Sequence, residues 1–172
     1  MALILSGDTG VPASGMPTGS VIQTVTNFFT TTSSTTARTF TDVSGFSATI
    51  TPISTSSKVL VFGQITASPN VTSFGYEAAM RVTRNGTSVG ANPVSSTLGA
   101  VSSASTTGSE GSQTINFSFI DSPASTSALT YQVQFICGEG VTYYINQNSN
   151  QTYVGSYTAT GGSSLTVMEI KG

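Results

Sequence analysis

Histidine and tryptophan are absent from this chain, cysteine occurs once, and charge is scarce. Five basic and seven acidic side chains make 7% of 172 residues, against about 25% in an average soluble protein. Each shortage excludes something. Without histidine there is no Ser-His-Asp or Cys-His arrangement, few ways to bind zinc, and no usual general base near neutral pH. Cys137 has no partner for an intrachain disulfide, and inside "YQVQFICGEG" it reads as a small apolar residue. Arg38, Lys58, Arg81, Arg84 and Lys171 form no basic stripe, so phosphate-driven nucleic-acid binding is not expected. No apolar run approaches the roughly 18 to 20 residues of a membrane span, and none is expected to insert. The start has neither a basic n-region nor a long apolar h-region, so no signal peptide is expected.

The acidic residues Asp8, Asp42, Glu77, Glu110, Asp121, Glu139 and Glu169 are scattered singly. Glycoside hydrolysis needs a carboxylate pair about 5 to 10 Å apart, and calcium needs clustered oxygens. Isolated turn and surface carboxylates are the plainer reading. The expectation is a protein without catalytic residues, metal or cofactor.

What fills the space is hydroxyl: 28 serines and 29 threonines, a third of the chain, with 18 glycines. The 37% of hydrophobic residues suffices for a core. Those residues alternate rather than recur at helical spacing. "TINFSFID" puts Ile115, Phe117 and Phe119 on one face; "LTYQVQFI" does so with Tyr131, Val133 and Phe135. "SKVLVFGQITAS" is apolar on both faces from Val59 to Phe62, as an inner strand would be, and "SSLTVMEIKG" reads as a closing strand. Asn85-Gly86 between alternating runs predicts a two-residue hairpin. A second hairpin is expected around Asn148 to Asn150, and Ser95 to Ser112 reads as an exposed loop, the alternative being partly a ragged edge strand. Eight to ten short strands with Ser/Thr/Gly/Pro punctuation predict an all-β fold over residues 21–172, an antiparallel sandwich or barrel, which the resemblance described below narrows to a jelly-roll-like β-sandwich.

Residues 1–20 differ. From Gly7 to Ser20 there is one charge and no aromatic residue, with repeated Gly, Pro, Ser and Thr. Such a stretch buries too little apolar surface to offset its ordering entropy. It is expected to be an extended arm that finds its shape against other subunits, through Leu3, Ile4, Leu5, Val11 and Met16.

Three stretches together, "GDTGVPASGMPTGSVIQTV", "ITPISTSSKVLVFGQI" and "SSLTVMEIKG", resemble small virion proteins of tailed bacteriophages. The latter part resembles a knob with a jelly roll similar to those of tumour necrosis factor and complement globular heads. The resemblance implies a homotrimer, an N-terminal segment docked onto other virion structural proteins, and knob loops facing outward to the host surface. It also implies synthesis in the bacterial cytoplasm and residence in the virion. The chain lacks the shaft of a long fibre, having no heptads, collagen-like repeat or β-prism unit. A capsid decoration or cement protein has the same design and is the alternative; a secreted carbohydrate-binding module is a third, against which the missing signal peptide counts.

One stretch suits recognition. "YYINQNSNQTYVGSY" gathers Tyr143, Tyr144, Tyr153 and Tyr157 with Asn146 and Asn148, flat rings beside paired donors and acceptors that can grip a host-surface glycan without charge. Tyrosines at alternate strand positions also pack in a core or at a trimer seam, and both readings stand at this point. Glu77, Arg81, Arg84 and Glu139 are the remaining charges of note, read as a cross-strand or intersubunit ion pair or as a receptor contact.

A surface of hydroxyls and amides has few ion pairs for salt to screen or protons to break. Stability and assembly should therefore change little with salt, or with pH between about 5 and 9. A shift of the unfolding midpoint by tens of degrees between low and high salt contradicts this.

Overall fold

The computed structural model describes residues 12, 15–70, 77–90, 102–105, 112–138, 140–148 and 161–172. Of the side chains of Glu77 and residues 102–105 nothing is said. The described part is all-β, a sandwich of two antiparallel sheets. Its strands are β1 (Val21–Phe29), β2 (Ser33–Thr35), β3 (Thr41–Ile50), β4 (Lys58–Pro69), β5 (Glu77–Arg84), β6 (Thr87–Val89), β7 (Ser102–Ser105), β8 (Gln113–Asp121), β9 (Leu129–Cys137), β10 (Tyr143–Ile145) and β11 (Ser163–Ile170).

The first sheet runs β1-β11-β4-β8, with β10 and β2 continuing the lines of β11 and β1 beyond their ends. The second runs β3-β9-β5, with β6 and β7 sharing the far side of β5. First strand thus pairs with last, β3 with β9, β4 with β8, and β5 with its hairpin partner. One long hairpin rolled over two layers gives that pairing, which is a jelly roll. The hairpin's tip is Asn85-Gly86, both at positive φ (47° and 84°), as the type I′ turn requires.

The alternation seen in the sequence sets the layers. Ile115 and Phe117 of β8, Val59, Val61 and Ile65 of β4, and Leu165 and Val167 of β11 point inward. They meet Phe46, Ala48 and Ile50 of β3, Tyr131, Val133 and Phe135 of β9, and Met80 and Val82 of β5. Each such apolar side chain contributes about 1.5–3 kcal/mol when fully buried. Cys137 is buried among them and its thiol donates to the Thr35 carbonyl at 3.4 Å. Burial pushes that thiol up.

Several expectations need correction. Ser102–Ser105 is a strand paired with β5, not loop. Serine-rich segments carry no periodic apolar signal, and backbone pairing alone declares it. Glu169 and Asp121 are not surface groups: they flank Val59 on the last inward row of the first sheet. Glu169 is 0% exposed and accepts from Gln23 Nε2 at 2.6 Å and the Ile53 amide at 2.8 Å. Asp121 pairs with Arg84 at 2.6 Å across the sandwich and accepts from the Tyr131 hydroxyl at 2.8 Å. Arg81 bonds Gln134 and lies over the Phe40 ring. Glu139 and the remainder of the expected hairpin beyond Asn148 lie outside the described residues.

Leu3, Ile4, Leu5 and Val11 of the arm also lie outside them. Met16 does not, and the arm's last residues are held by their own chain. Gly19 donates to the Lys171 carbonyl at 2.8 Å, the Lys171 amide to Ser20 at 2.9 Å, and Lys171 Nζ to the Met16 carbonyl.

Gly63 is the tightest point of the first sheet. A Cβ there would stand 2.1 Å from the Ser164 carbonyl oxygen and 2.9 Å from the Phe117 ring. Gly63→Ala is expected to force β11 off β4, destabilising the fold by about 3 kcal/mol or more, as overpacking against backbone does. Urea unfolding checks this; a variant within about 0.5 kcal/mol of wild type contradicts it.

Candidate interaction face

Surface chemistry differs between the outer faces of the two sheets. On the second sheet, cross-strand rows read Asp42–Gln134–Arg81, Ser47–Gln132–Thr83–Ser88 and Thr49–Thr130. Their polar groups satisfy one another: Gln134 donates to Asp42 at 2.6 Å and accepts from Arg81 at 2.6 Å, and the Thr49 and Thr130 hydroxyls meet at 2.8 Å. The Arg81 guanidinium sits 4.3 Å from the Phe40 ring centre. These rows are polar, and the row beyond them, Ala79–Ile136, is not.

On the first sheet the corresponding rows are Thr24–Met168–Leu60–Ile120, Thr26–Thr166–Phe62–Ser118 and Phe28–Ser164–Gln64–Asn116. No charge occurs in them. Phe28 is 78% and Ile120 64% exposed, and Leu60, Phe62 and Met168 are half-buried between neighbouring strands. A solvated face of an antiparallel sheet ordinarily alternates to polar residues. Here β4 is apolar in both directions, and Met168 and Ile120 extend its outer row.

The tyrosine-amide stretch falls partly within the described residues. Tyr143 is 2% exposed, facing inward, with its ring centre 5.5 Å from that of Phe135. Asn146 is 0% exposed and fully engaged. Its Nδ2 donates to the carbonyls of Phe29 at 2.8 Å and Thr31 at 3.1 Å, and its Oδ1 accepts from the Ser163 hydroxyl at 2.6 Å. Its backbone bonds Thr66 and Gly161, and its φ of 58° is left-handed. Asn146 is a knot between the end of β1, the start of β11 and β4, and is unavailable to a ligand. Tyr144 and Asn148 are half-exposed; Tyr153 and Tyr157 lie outside the described residues. Two of the six candidates are thus structural.

Sequence reasoning did not identify a cavity of about 200 Å³ at one edge of the sandwich, where β2 and β3 face each other. Ser33, Ser34, Thr35, Thr41, Asp42 and Ser44 rim it, over Val43, Phe135 and Ile145. Among the described residues no group of three or more His, Cys, Asp or Glu side chains gathers.

No family model and no curated relative matches the chain. Among solved structures it is similar to T=1 particles derived from infectious bursal virus (TM-score 0.42, 14% identity, 100% of this chain and 41% of that one). It is also similar to the infectious bursal disease virus Gx strain (TM-score 0.38, 11% identity, 98% and 42%). The chain spans about two-fifths of the length of these structures. At such TM-scores the overlay establishes no shared fold, and the fold rests on the strand pairing above.

Burial pushes the Tyr143 phenol up to about 12, with the nearby Cys137 thiol adding to the effect, and the buried Tyr131 phenol is raised too. Unfolded tyrosine loses its proton near about 10. The unfolded thiol loses its proton from about 8.5. Above these pH values the unfolded chain binds fewer protons than the folded one, so stability should begin to fall near pH ~9 through Cys137 and fall further between ~10 and ~12 through the tyrosines. Urea midpoints taken across this range check it; a midpoint unchanged from about pH 9 to 11.5 contradicts it.

Proposed function

We propose that this chain is a structural virion protein of a tailed bacteriophage, a trimeric short knob that docks by its N-terminal arm and presents its loops to the host surface. The observation that carries this reading is the apolar outer face of the first sheet, whose central rows hold no charge, with Lys58 standing at its end. Phe28, Leu60, Phe62, Ile120 and Met168 leave an apolar surface where an isolated antiparallel sandwich would be polar. Copies of the same chain cover these central rows without any charge in them needing a partner, Lys58 at their end being bonded to Ser122. The two-sheet antiparallel sandwich supports a jelly-roll head, and the resemblance implies a trimer. The protein is read as non-catalytic, made in the host cytoplasm and carried in the particle.

The first fifteen residues are assigned to attachment, since Met16 to Ser20 are already bound to Lys171. Deleting residues 2–15 should leave a domain whose unfolding midpoint stays within a few degrees of wild type and which no longer joins the particle. A truncated chain that fails to fold, or one that still incorporates normally, overturns the assignment.

A further inference from the structure

Inward positions of this sandwich are apolar nearly everywhere, and the cavity between β2 and β3 departs from that rule. Ser33 and Thr35 pair with Ile145 and Tyr143, and Thr41 pairs with Phe135. Their hydroxyls therefore share the inner face with those buried side chains. The result is a slot with hydroxyl walls and an apolar floor of Val43, Phe135 and Ile145. Ser34, Asp42 and Ser44 complete its rim, with the Asp42 carboxylate turned to the outer row, where it accepts from Gln134.

We propose that this slot is a subsite for one neutral sugar ring. The C–H face of a pyranose matches the apolar floor, and its hydroxyls match the donors and acceptors of the walls. No basic residue lines the slot, so an anionic ligand finds no cationic partner there. Its size sets the limit: about 200 Å³ is below the roughly 300–1,000 Å³ of pockets for drug-sized ligands. It takes a single ring, with the rest of any glycan outside. The inference deepens the host-surface part of the proposed function and rests on it. It moves recognition from the buried Tyr143 and Asn146 to the serines and threonines across the sheet edge.

The test is amide-shift titration of the full-length protein with D-glucose, D-galactose, N-acetylglucosamine, L-rhamnose and glycerol, one at a time. At least one pyranose should shift signals concentrated in residues 33–35, 41–44, 135 and 145. Thr41→Val and Ser33→Ala should each weaken that binding about five- to tenfold, as loss of a neutral hydrogen bond implies, with the unfolding midpoint unchanged. Glycerol should bind more weakly than the best pyranose. No shift in the slot with any probe, shifts confined to other residues, or variants that bind as wild type overturn the proposal. Particle incorporation of the two variants separates the two ideas. Normal incorporation with no sugar binding in wild type sinks the subsite and leaves the virion reading intact.

Discussion

β4 is the strand on which the architecture depends. It is hydrogen-bonded along its length, to β11 and β10 on one side and β8 on the other. It carries apolar residues in both directions, with Val59, Val61 and Ile65 fully buried against the second sheet and Leu60 and Phe62 facing away from it. A strand with two apolar sides needs cover on two sides. The second sheet supplies one cover. The other is what the described residues leave open, and Met168 and Ile120 widen it into a continuous row.

The scarce charges follow a different logic. Glu169 and Asp121 stand on the last inward row, either side of Val59, where loop backbone and end-of-strand side chains can reach them. Arg84 crosses from β5 to meet Asp121, so an ion pair clasps the two sheets at one end. Breaking such a partly buried pair by removing one member costs more than forming it gains. Elsewhere threonine, serine, asparagine and glutamine make the cross-strand contacts, and Asn146 alone joins three strands through side-chain and backbone bonds.

Much of this was legible in the sequence, and the reasons for the gaps are physical. Strict alternation in β8 and β9 declares which side chains go inward, and Asn85-Gly86 declares its turn because few other pairs tolerate two positive φ values. The two-sided apolarity of β4 was visible as an inner-strand pattern. β7 had no such signal, since serine contributes no apolar period. The buried acids look like surface carboxylates because their partners are 10 to 146 residues away, on other strands and loops. Tyr143 and Asn146 have the composition of a binding loop, and only the packing of β10 against β4 and β2 makes them core. The hydroxyl slot exists only where β2 and β3 meet across the two sheets, which no local pattern announces.

The two-sided apolarity of β4 is the central claim, and the mass of the particle-free protein tests it most directly. Light scattering should give about three times 17.5 kDa for wild type, and Phe62→Lys, which puts a charge into the apolar face without touching the core, should fall to a folded 17.5 kDa monomer. A wild-type monomer, or a Phe62→Lys protein that keeps the wild-type mass, would contradict the account.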